Sequence, residues 1–335
     1  MINHEALIEK LSNKTILLTG ASGTVGRNII SLINKYNIEN SAHITIFACV
    51  RNEKKIIPFI MDKDFIRLYP GDILDKYYWS TIDTSVDYII HCAANTNSKF
   101  MITNPVETLD GIVIGTKNVL EFALRCNIMG ILYVSSMEIY GDLPFLDRKV
   151  SENDIGKIDI LAERSSYPLG KRLAENYCYC YYKEFGLPIK IVRLAQTFGK
   201  GITEEDNRVY VQFAKSAISG CDIILHTGGE SMGNYVDSEE AVQAMLLVLL
   251  MGKTGEAYNV VNEDNSMSIK EMAEMVANKI ASSRIEVRYD ISDNHGYSKI
   301  KGARLSARKV EELGWKATIS LEEMYRKTIE EIGEL

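Results

Sequence analysis

The feature that most constrains this chain lies between Lys14 and Ile30, in the stretch KTILLTGASGTVGRNII. An apolar run, Ile16 to Leu18, meets a glycine-rich turn, Gly20-x-x-Gly23-x-x-Gly26. An apolar helical pattern follows through Ile29, Ile30 and Ile33. Strand, tight turn and helix start, in that order, are the setting a dinucleotide-binding fingerprint requires. Gly20 lets the chain turn, Gly23 lets a pyrophosphate approach the backbone, and Gly26 lets the helix pack closely on its strand. The free N–H groups at the helix start then face the phosphate charge.

Strand and helix patterns alternate through the first two-thirds of the chain. His43 to Val50 reads as a second strand, Phe65 to Leu68 as a third and Val86 to Cys92 as a fourth. The fourth is almost wholly apolar, as a parallel strand covered on both faces must be. A long helix is predicted over Pro105 to Cys126, a fifth strand over Gly130 to Ser135, a helix over Tyr167 to Phe185 and a sixth strand over Pro188 to Leu194. Such alternation predicts an α/β fold, a Rossmann-type doubly wound parallel sheet.

After Gly199 the pattern becomes mixed. Helices are predicted over Asn207 to Ser219, Ser238 to Leu250 and Ser268 to Ala281, the last opening with a capping box of Ser268 and Glu271. Short strands fall at Ile223 to His226 and Ala257 to Val261; Ser306 to Leu313 and a helix from about Leu321 close the chain. The expected division is a dinucleotide-binding domain over 1–196, with a return segment at about 232–254, and a smaller mixed α/β C-terminal substrate lobe over 197–335.

A net charge of −7 argues against general nucleic-acid binding. The run Ala241 to Met251 is too short to span a bilayer, and MINHEALIEK does not read as a signal peptide, so a cytoplasmic location is expected. Cys49, Cys92, Cys126, Cys178, Cys180 and Cys221 form no C-x-x-C, and His43, His226 and His295 stand alone. No metal site and no disulfide is expected from that spacing.

Tyr167-x-x-x-Lys171 places a phenol and an ammonium one helical turn apart on one face. A phenol has an ordinary pKa of about 10. A nearby cation favours the phenolate, which can take a hydroxyl proton as a hydride leaves the same carbon. The fifth strand closes in Ser135-Ser136, followed by Met137-Glu138-Ile139-Tyr140-Gly141, so Ser136 can share a substrate oxygen with Tyr167. Asp72 follows the third strand, and His91-Cys92-Ala93-Ala94 ends the fourth in small residues where a cofactor can pass.

With these landmarks the chain resembles the extended short-chain dehydrogenase/reductases of the nucleotide-sugar epimerase/dehydratase type. GASGTVG, GDILD, HCAA, GTKNVLEFA, VSSMEIYG, YPLGKRLAE, RLAQTFGKG and LGWKATISLEE carry the resemblance from Thr15 to Glu323. It implies Ser136, Tyr167 and Lys171 as the catalytic triad. It also implies Gly20, Ser22, Gly23, Thr24, Val25, Gly26, Asp72, Ile73, Ala93 and Ala94 as cofactor-binding, together with Tyr167 and Lys171. Ser136, Tyr167, Arg193 and Gln196 are implied at the substrate. The implied chemistry is transient oxidation of a sugar C4 hydroxyl, a second step made easy by the 4-keto group, and return of the hydride.

Glu138 stands where dehydratases and uronic-acid decarboxylases of that family carry a glutamate, and it can take a C5 proton. Met137 departs from the pattern: dehydratases usually place an aspartic acid there to protonate the leaving C6 hydroxyl. Epimerisation is therefore favoured over 4,6-dehydration, with uronic-acid decarboxylation close behind, and with a reductase that consumes NADPH, or a redox-silent binding protein, as readings of another class. Gln196 replaces a frequent asparagine, Ile112 another, and Gly228 to Glu240 lacks a frequent diphosphate-clamping arginine, for which Arg304 or Arg308 can substitute. The second strand runs into Arg51-Asn52 with no acid before Glu53. Arg51, helped by Arg27, suits a 2′-phosphate, so NADP is expected slightly ahead of NAD. The expected partners are a nucleotide-diphosphate sugar and a second copy of the chain. In the family the helix carrying Tyr177, Tyr179, Tyr181 and Tyr182 packs in a dimeric four-helix bundle.

Overall fold

The computed structural model describes residues 4–56, 60, 64–143, 148–202, 206–291 and 303–333. A seven-stranded parallel sheet runs through it in the order β10-β6-β5-β4-β1-β2-β3. Its strands are β1 (Thr15–Thr19), β2 (Thr45–Val50), β3 (Ile66–Pro70), β4 (Tyr88–His91), β5 (Gly130–Ser136), β6 (Ile189–Leu194) and β10 (Ala257–Val260). β4 and β6 are buried at every position, because helices cover both faces of the sheet.

The helices that matter most for the site are α2 (Thr24–Asn40), α4 (Pro105–Ala123) and α5 (Ser166–Phe185); α1 (His4–Leu11) and the short α3 (Ser98–Thr103) complete this part. α4 and α5 pack along each other on one face of the sheet. Pro105 begins α4 and Pro168 lies in the first turn of α5, the helical positions where a missing N–H costs least. The second strand begins at Thr45 rather than His43 because His43 takes a φ of +50°, which belongs to a turn.

Beyond residue 196 the chain builds a second core. It contains β7 (Gln196–Phe198), α6 (Val209–Ser219), β8 (Ile223–Leu225), β9 (Met232–Asp237), β11 (Asn262–Ser268), α8 (Ile269–Met275), β12 (Val287–Tyr289) and α10 (Leu321–Gly333). β11, β9 and β7 form one small sheet, β12 and β8 another. Phe198 stacks on Tyr210 with ring centroids 4.3 Å apart, and Tyr235 and Tyr325 meet Phe198 edge-on. Such pairs add to the burial of large apolar rings.

Between β9 and β11 the chain returns to the large sheet. α7 (Ser238–Met251) packs on α2, and β10 pairs with β6, so the returning part runs past residue 254 to Val260. Glu240 fastens the C-terminal part to α7: its carboxylate accepts from Thr318 N and Oγ1 and from Ile319 N, while its carbonyl accepts the Trp315 indole N–H. The helix predicted to Ala281 does open with the Ser268/Glu271 capping box, but after Met275 it widens into a π-turn over Val276–Ile280. The stretch Ser306 to Leu313 holds one short helix, α9 (Arg308–Glu311).

Candidate active site

The carboxyl ends of β1, β4 and β5, the start of α2 and the start of α5 meet at one crevice. It lies where chain direction diverges from β1, toward β2 and β3 on one side and β4 and β5 on the other. In open α/β sheets ligands bind at that switch point.

The glycine turn is tightly fitted. Gly20 has a φ of +70°, and a Cβ there would lie 2.9 Å from the Ala93 backbone. A Cβ on Gly26 would lie 2.4 Å from the Gly20 carbonyl oxygen and 2.7 Å from Ala21 Cα. Gly23 is exposed, and a Cβ there would meet nothing nearer than 3.4 Å. It caps α2 without a side-chain hydrogen bond, and the first turn carries no acid. Gly23 therefore offers no side-chain acceptor to the N–H groups of Thr24 and Val25, just past Ser22, and this cradle fits an anionic pyrophosphate.

A buried relay fixes the opposite wall. Thr116 Oγ1 donates to the Ile112 carbonyl oxygen, so it accepts from His91 Nε2, 3.1 Å away. His91 Nδ1 is then an acceptor for the Thr19 hydroxyl at 2.6 Å, and Thr19 Oγ1 accepts from Ala93 N. Burial first, and then the Lys171 charge, push the imidazole down to about 3, so it is neutral. The relay sets Ala93 and Ala94 against the turn without adding charge there. Across the crevice, Asp72 Oδ1 accepts from Leu74 N, and the Ile73 carbonyl accepts from Asn118 Nδ2 and Trp79 Nε1. Asp72 itself is exposed at the crevice rim.

Ser136, Glu138, Tyr167 and Lys171 lie at the end of β5 and the start of α5. Ser136 ends β5 and caps the following 3-10 turn, its Oγ accepting from Glu138 N at 3.2 Å. Ser136 faces the Tyr167 hydroxyl from the end of β5 and favours its phenolate. Tyr167 is buried at the start of α5. Desolvation raises its pKa above the usual phenol value, and the Glu138 charge adds to that; Ser136, Arg164 and Arg208 pull the other way. Lys171 Nζ donates to the Val134 carbonyl oxygen at 2.7 Å and lies 5.8 Å from the Tyr167 ring centre. Burial lowers Lys171 to about 8.

Two arginines absent from the sequence expectations stand beside Tyr167. Arg164 Nη2 donates to Glu138 Oε1 at 2.8 Å, and its guanidinium carbon lies 5.8 Å from the Tyr167 ring centre. Arg208, paired with Asp206, acts on Tyr167 from the start of α6. Arg164 had a sequence signal, standing one turn ahead of Tyr167 as Arg-x-x-Tyr.

One expectation changes. Arg193 does not reach out to a substrate: its guanidinium is buried and donates to Glu175, to the Tyr140 hydroxyl and to the Glu152 carbonyl. A buried guanidinium needs such partners to offset its desolvation, which makes Arg193 a brace beneath the site. Arg308, considered as a diphosphate clamp, is exposed and pairs with Glu312 on its own helix. Met137 packs against the main core, so no proton donor stands between Ser136 and Glu138. Gln196 is half-buried at the start of β7, and among the described residues its buried Oε1 has no hydrogen-bond partner. Arg51 is exposed just beyond β2. Among the described residues no His, Cys, Asp or Glu group could hold a metal ion, and no helix is long and apolar enough to cross a membrane.

The model of the NAD dependent epimerase/dehydratase family matches residues 16–261. Among curated relatives, UDP-glucuronic acid decarboxylase 1 of Danio rerio is 27% identical, over 96% of this chain and 73% of the relative. The dTDP-D-glucose 4,6-dehydratase of Bos taurus is 25% identical, over 95% and 88%. Among solved structures, the epimerase Mth375 of Methanothermobacter thermautotrophicus superposes with a TM-score of 0.85 at 21% identity, covering 98% of this chain and 95% of that one. UDP-glucose 4-epimerase of Thermotoga maritima, solved with UDP-glucose, gives 0.81 at 21% identity, over 95% and 98%. At such identities the solved structures establish the shared fold.

Proposed function

The chain belongs to the NAD dependent epimerase/dehydratase family, and from that premise we propose that it modifies a nucleotide-diphosphate sugar through a transient 4-keto sugar. The observation that carries this reading is Tyr167 at the start of α5 facing Ser136 at the end of β5, with Lys171 on the same helix face and tied to Val134, in a fold whose β1–α2 turn is a glycine cradle. A nicotinamide dinucleotide, when bound, supplies reversible hydride acceptance. Gly20, Ser22, Gly23, Thr24, Val25 and Gly26 would hold its phosphates, Asp72, Ile73, Ala93 and Ala94 its adenosine and nicotinamide sides, and Lys171 its ribose.

Tyr167 then takes the proton of the sugar C4 hydroxyl as the C4 hydrogen leaves as hydride, and C4 becomes a carbonyl carbon. Ser136 holds the same oxygen through the step, and Gln196 offers an acceptor to a neighbouring hydroxyl. Returning the proton from Tyr167 as hydride comes back to C4 closes the cycle, with the opposite configuration if the ketone has turned over meanwhile. This epimerisation needs no proton donor at C6, and Met137 provides none. The residues over 1–196, with the returning segment, hold the dinucleotide, and those over 197–335 mainly close on the sugar.

Decarboxylation of a uronic acid is the second reading. Glu138, held by Arg164, stands where a proton can be exchanged with the C5 carbanion that loss of carbon dioxide from a 4-keto acid leaves. The identity with UDP-glucuronic acid decarboxylases favours the same reading. Arg51 favours NADP over NAD. Exposed apolar residues on α4 and α5, Val106, Leu109, Ile114 and Leu173 among them, fit a homodimer through those helices.

The test is a panel of UDP-, dTDP-, GDP- and CDP-sugars, neutral and uronic, followed by product mass and proton NMR. Unchanged mass with altered ring couplings supports epimerisation, loss of carbon dioxide supports decarboxylation, and loss of water supports dehydration. Stoichiometric consumption of NADPH on a ketone or aldehyde would move the assignment to a reductase. Light scattering in solution reads the dimer.

A further inference from the structure

Tyr167 and Glu138 make an awkward pair. Tyr167 is the proposed acid–base group at C4 and Glu138 the carboxylate available for a proton at C5, yet each opposes the other's negative charge. Glu138 sits in the turn just after β5, and Tyr167 faces that turn from α5. Left bare, the carboxylate would hold the phenol in its protonated form.

Arg164 occupies the position that resolves this conflict. Its Nη2 bonds Glu138 Oε1 at 2.8 Å, and its guanidinium carbon lies 5.8 Å from the Tyr167 ring centre. Its Nη1 is buried without a hydrogen-bond partner, so Glu138 is the carboxylate that anchors the group. The 3-10 turn Glu163–Ser165 leads straight into α5, which fixes the arginine one turn ahead of Tyr167.

We propose that Arg164 is a positioning residue that masks the Glu138 carboxylate from Tyr167, so that two acid–base groups in one site carry their protons independently. The proposal rests on the reading of Tyr167 as the C4 acid–base group. The other groups facing Tyr167 are Ser136 and Tyr133 from β5, Lys171 from α5 itself, and Arg208 with its partner Asp206 from the start of α6. His91 and Cys92, from the end of β4, face Lys171. Among the described residues only Arg164 bonds the Glu138 carboxylate, Ser136 meeting just its backbone N–H, so removing Arg164 uncovers one carboxylate and leaves the remaining set intact.

The measurement is a pH titration of near-ultraviolet phenolate absorbance in the protein loaded with oxidised dinucleotide, with the Tyr167→Phe trace subtracted. No sugar is needed. Arg164→Ala should move the Tyr167 titration upward by about one pH unit, a tenfold loss of phenolate at fixed pH. Glu138→Gln alone should move it downward, because Arg164 then acts unopposed. The double variant Arg164→Ala with Glu138→Gln should return close to the wild-type curve, and Arg164→Lys should rescue part of the shift. Circular dichroism melts accompany each variant, and Glu138→Gln carries the test if Arg164→Ala fails to fold. A titration that neither Glu138→Gln nor Arg164→Ala displaces, or a double variant whose curve stays as far from wild type as that of Arg164→Ala alone, overturns the proposal. The sugar panel fails separately: shifted titrations with no sugar oxidised would sink the proposed reaction and leave the masking intact.

Discussion

Lys171 Nζ and the Val134 carbonyl oxygen stand 2.7 Å apart, which ties the ammonium of α5 to the last turn-ward residues of β5. The bond aims the cation along the crevice rather than into solvent. Burial lowers this lysine to about 8, so the ammonium is charged below that pH and neutral above it. Its attraction for a developing phenolate is therefore present below about pH 8 and fades above. The pH profile of kcat/KM should bend downward on its alkaline side from about 8, and the bend should vanish in Lys171→Met. A wild-type profile that climbs steadily to about pH 10, the ordinary range of a phenol, contradicts this role.

Tyr167→Phe removes one oxygen from a buried ring and leaves the packing of α5 on the sheet unchanged. Turnover should drop by about 10²-fold or more, the usual worth of a placed acid–base group, with an unaltered thermal melt. Turnover within a few-fold of wild type would put the proton transfer on another residue.

Gly26→Ala places a methyl group against backbone on three sides, with the Gly20 oxygen only 2.4 Å away. Backbone cannot swing aside as a long side chain can. The variant should lose about 1–3 kcal/mol of stability in urea denaturation and bind dinucleotide more weakly, because α2 must back away from β1. An alanine variant equal to wild type in both measurements would mean that the close approach does not hold in solution.

Arg51→Ala tests the choice of dinucleotide. If Arg51 meets a 2′-phosphate, the variant should weaken NADP by roughly 1.5–3 kcal/mol, the range for a hydrogen bond to a charged group, and leave NAD nearly untouched. Titration calorimetry with both dinucleotides reads the difference. Equal losses for the two assign Arg51 to the solvent-facing surface.

What the sequence made legible were the local signals. The glycine turn, the continuous apolar strands and the Tyr167–Lys171 spacing each rest on residues within one or two elements, and each is found where the pattern puts it. Arginine partners were not legible in the same way. Arg164 meets Glu138 across 26 positions, Arg193 meets Glu175 across 18, and Thr19 meets His91 across 72. An arginine on a substrate and an arginine braced under a site look alike until the chain has folded. The same distance hid Asn118, whose side chain pins the loop carrying Asp72 and Ile73. Boundaries went astray where a backbone conformation intervened, as at His43, or where a helix changed its winding, as after Met275.

The crowding of Gly20, Gly26 and the Ala93 backbone has a thermodynamic corollary for ligand capture. A receptor whose walls already press on one another has little disorder left to surrender when the dinucleotide arrives. Association should consequently be rapid, with protection of the β1 and α2 amides from hydrogen exchange already high before loading.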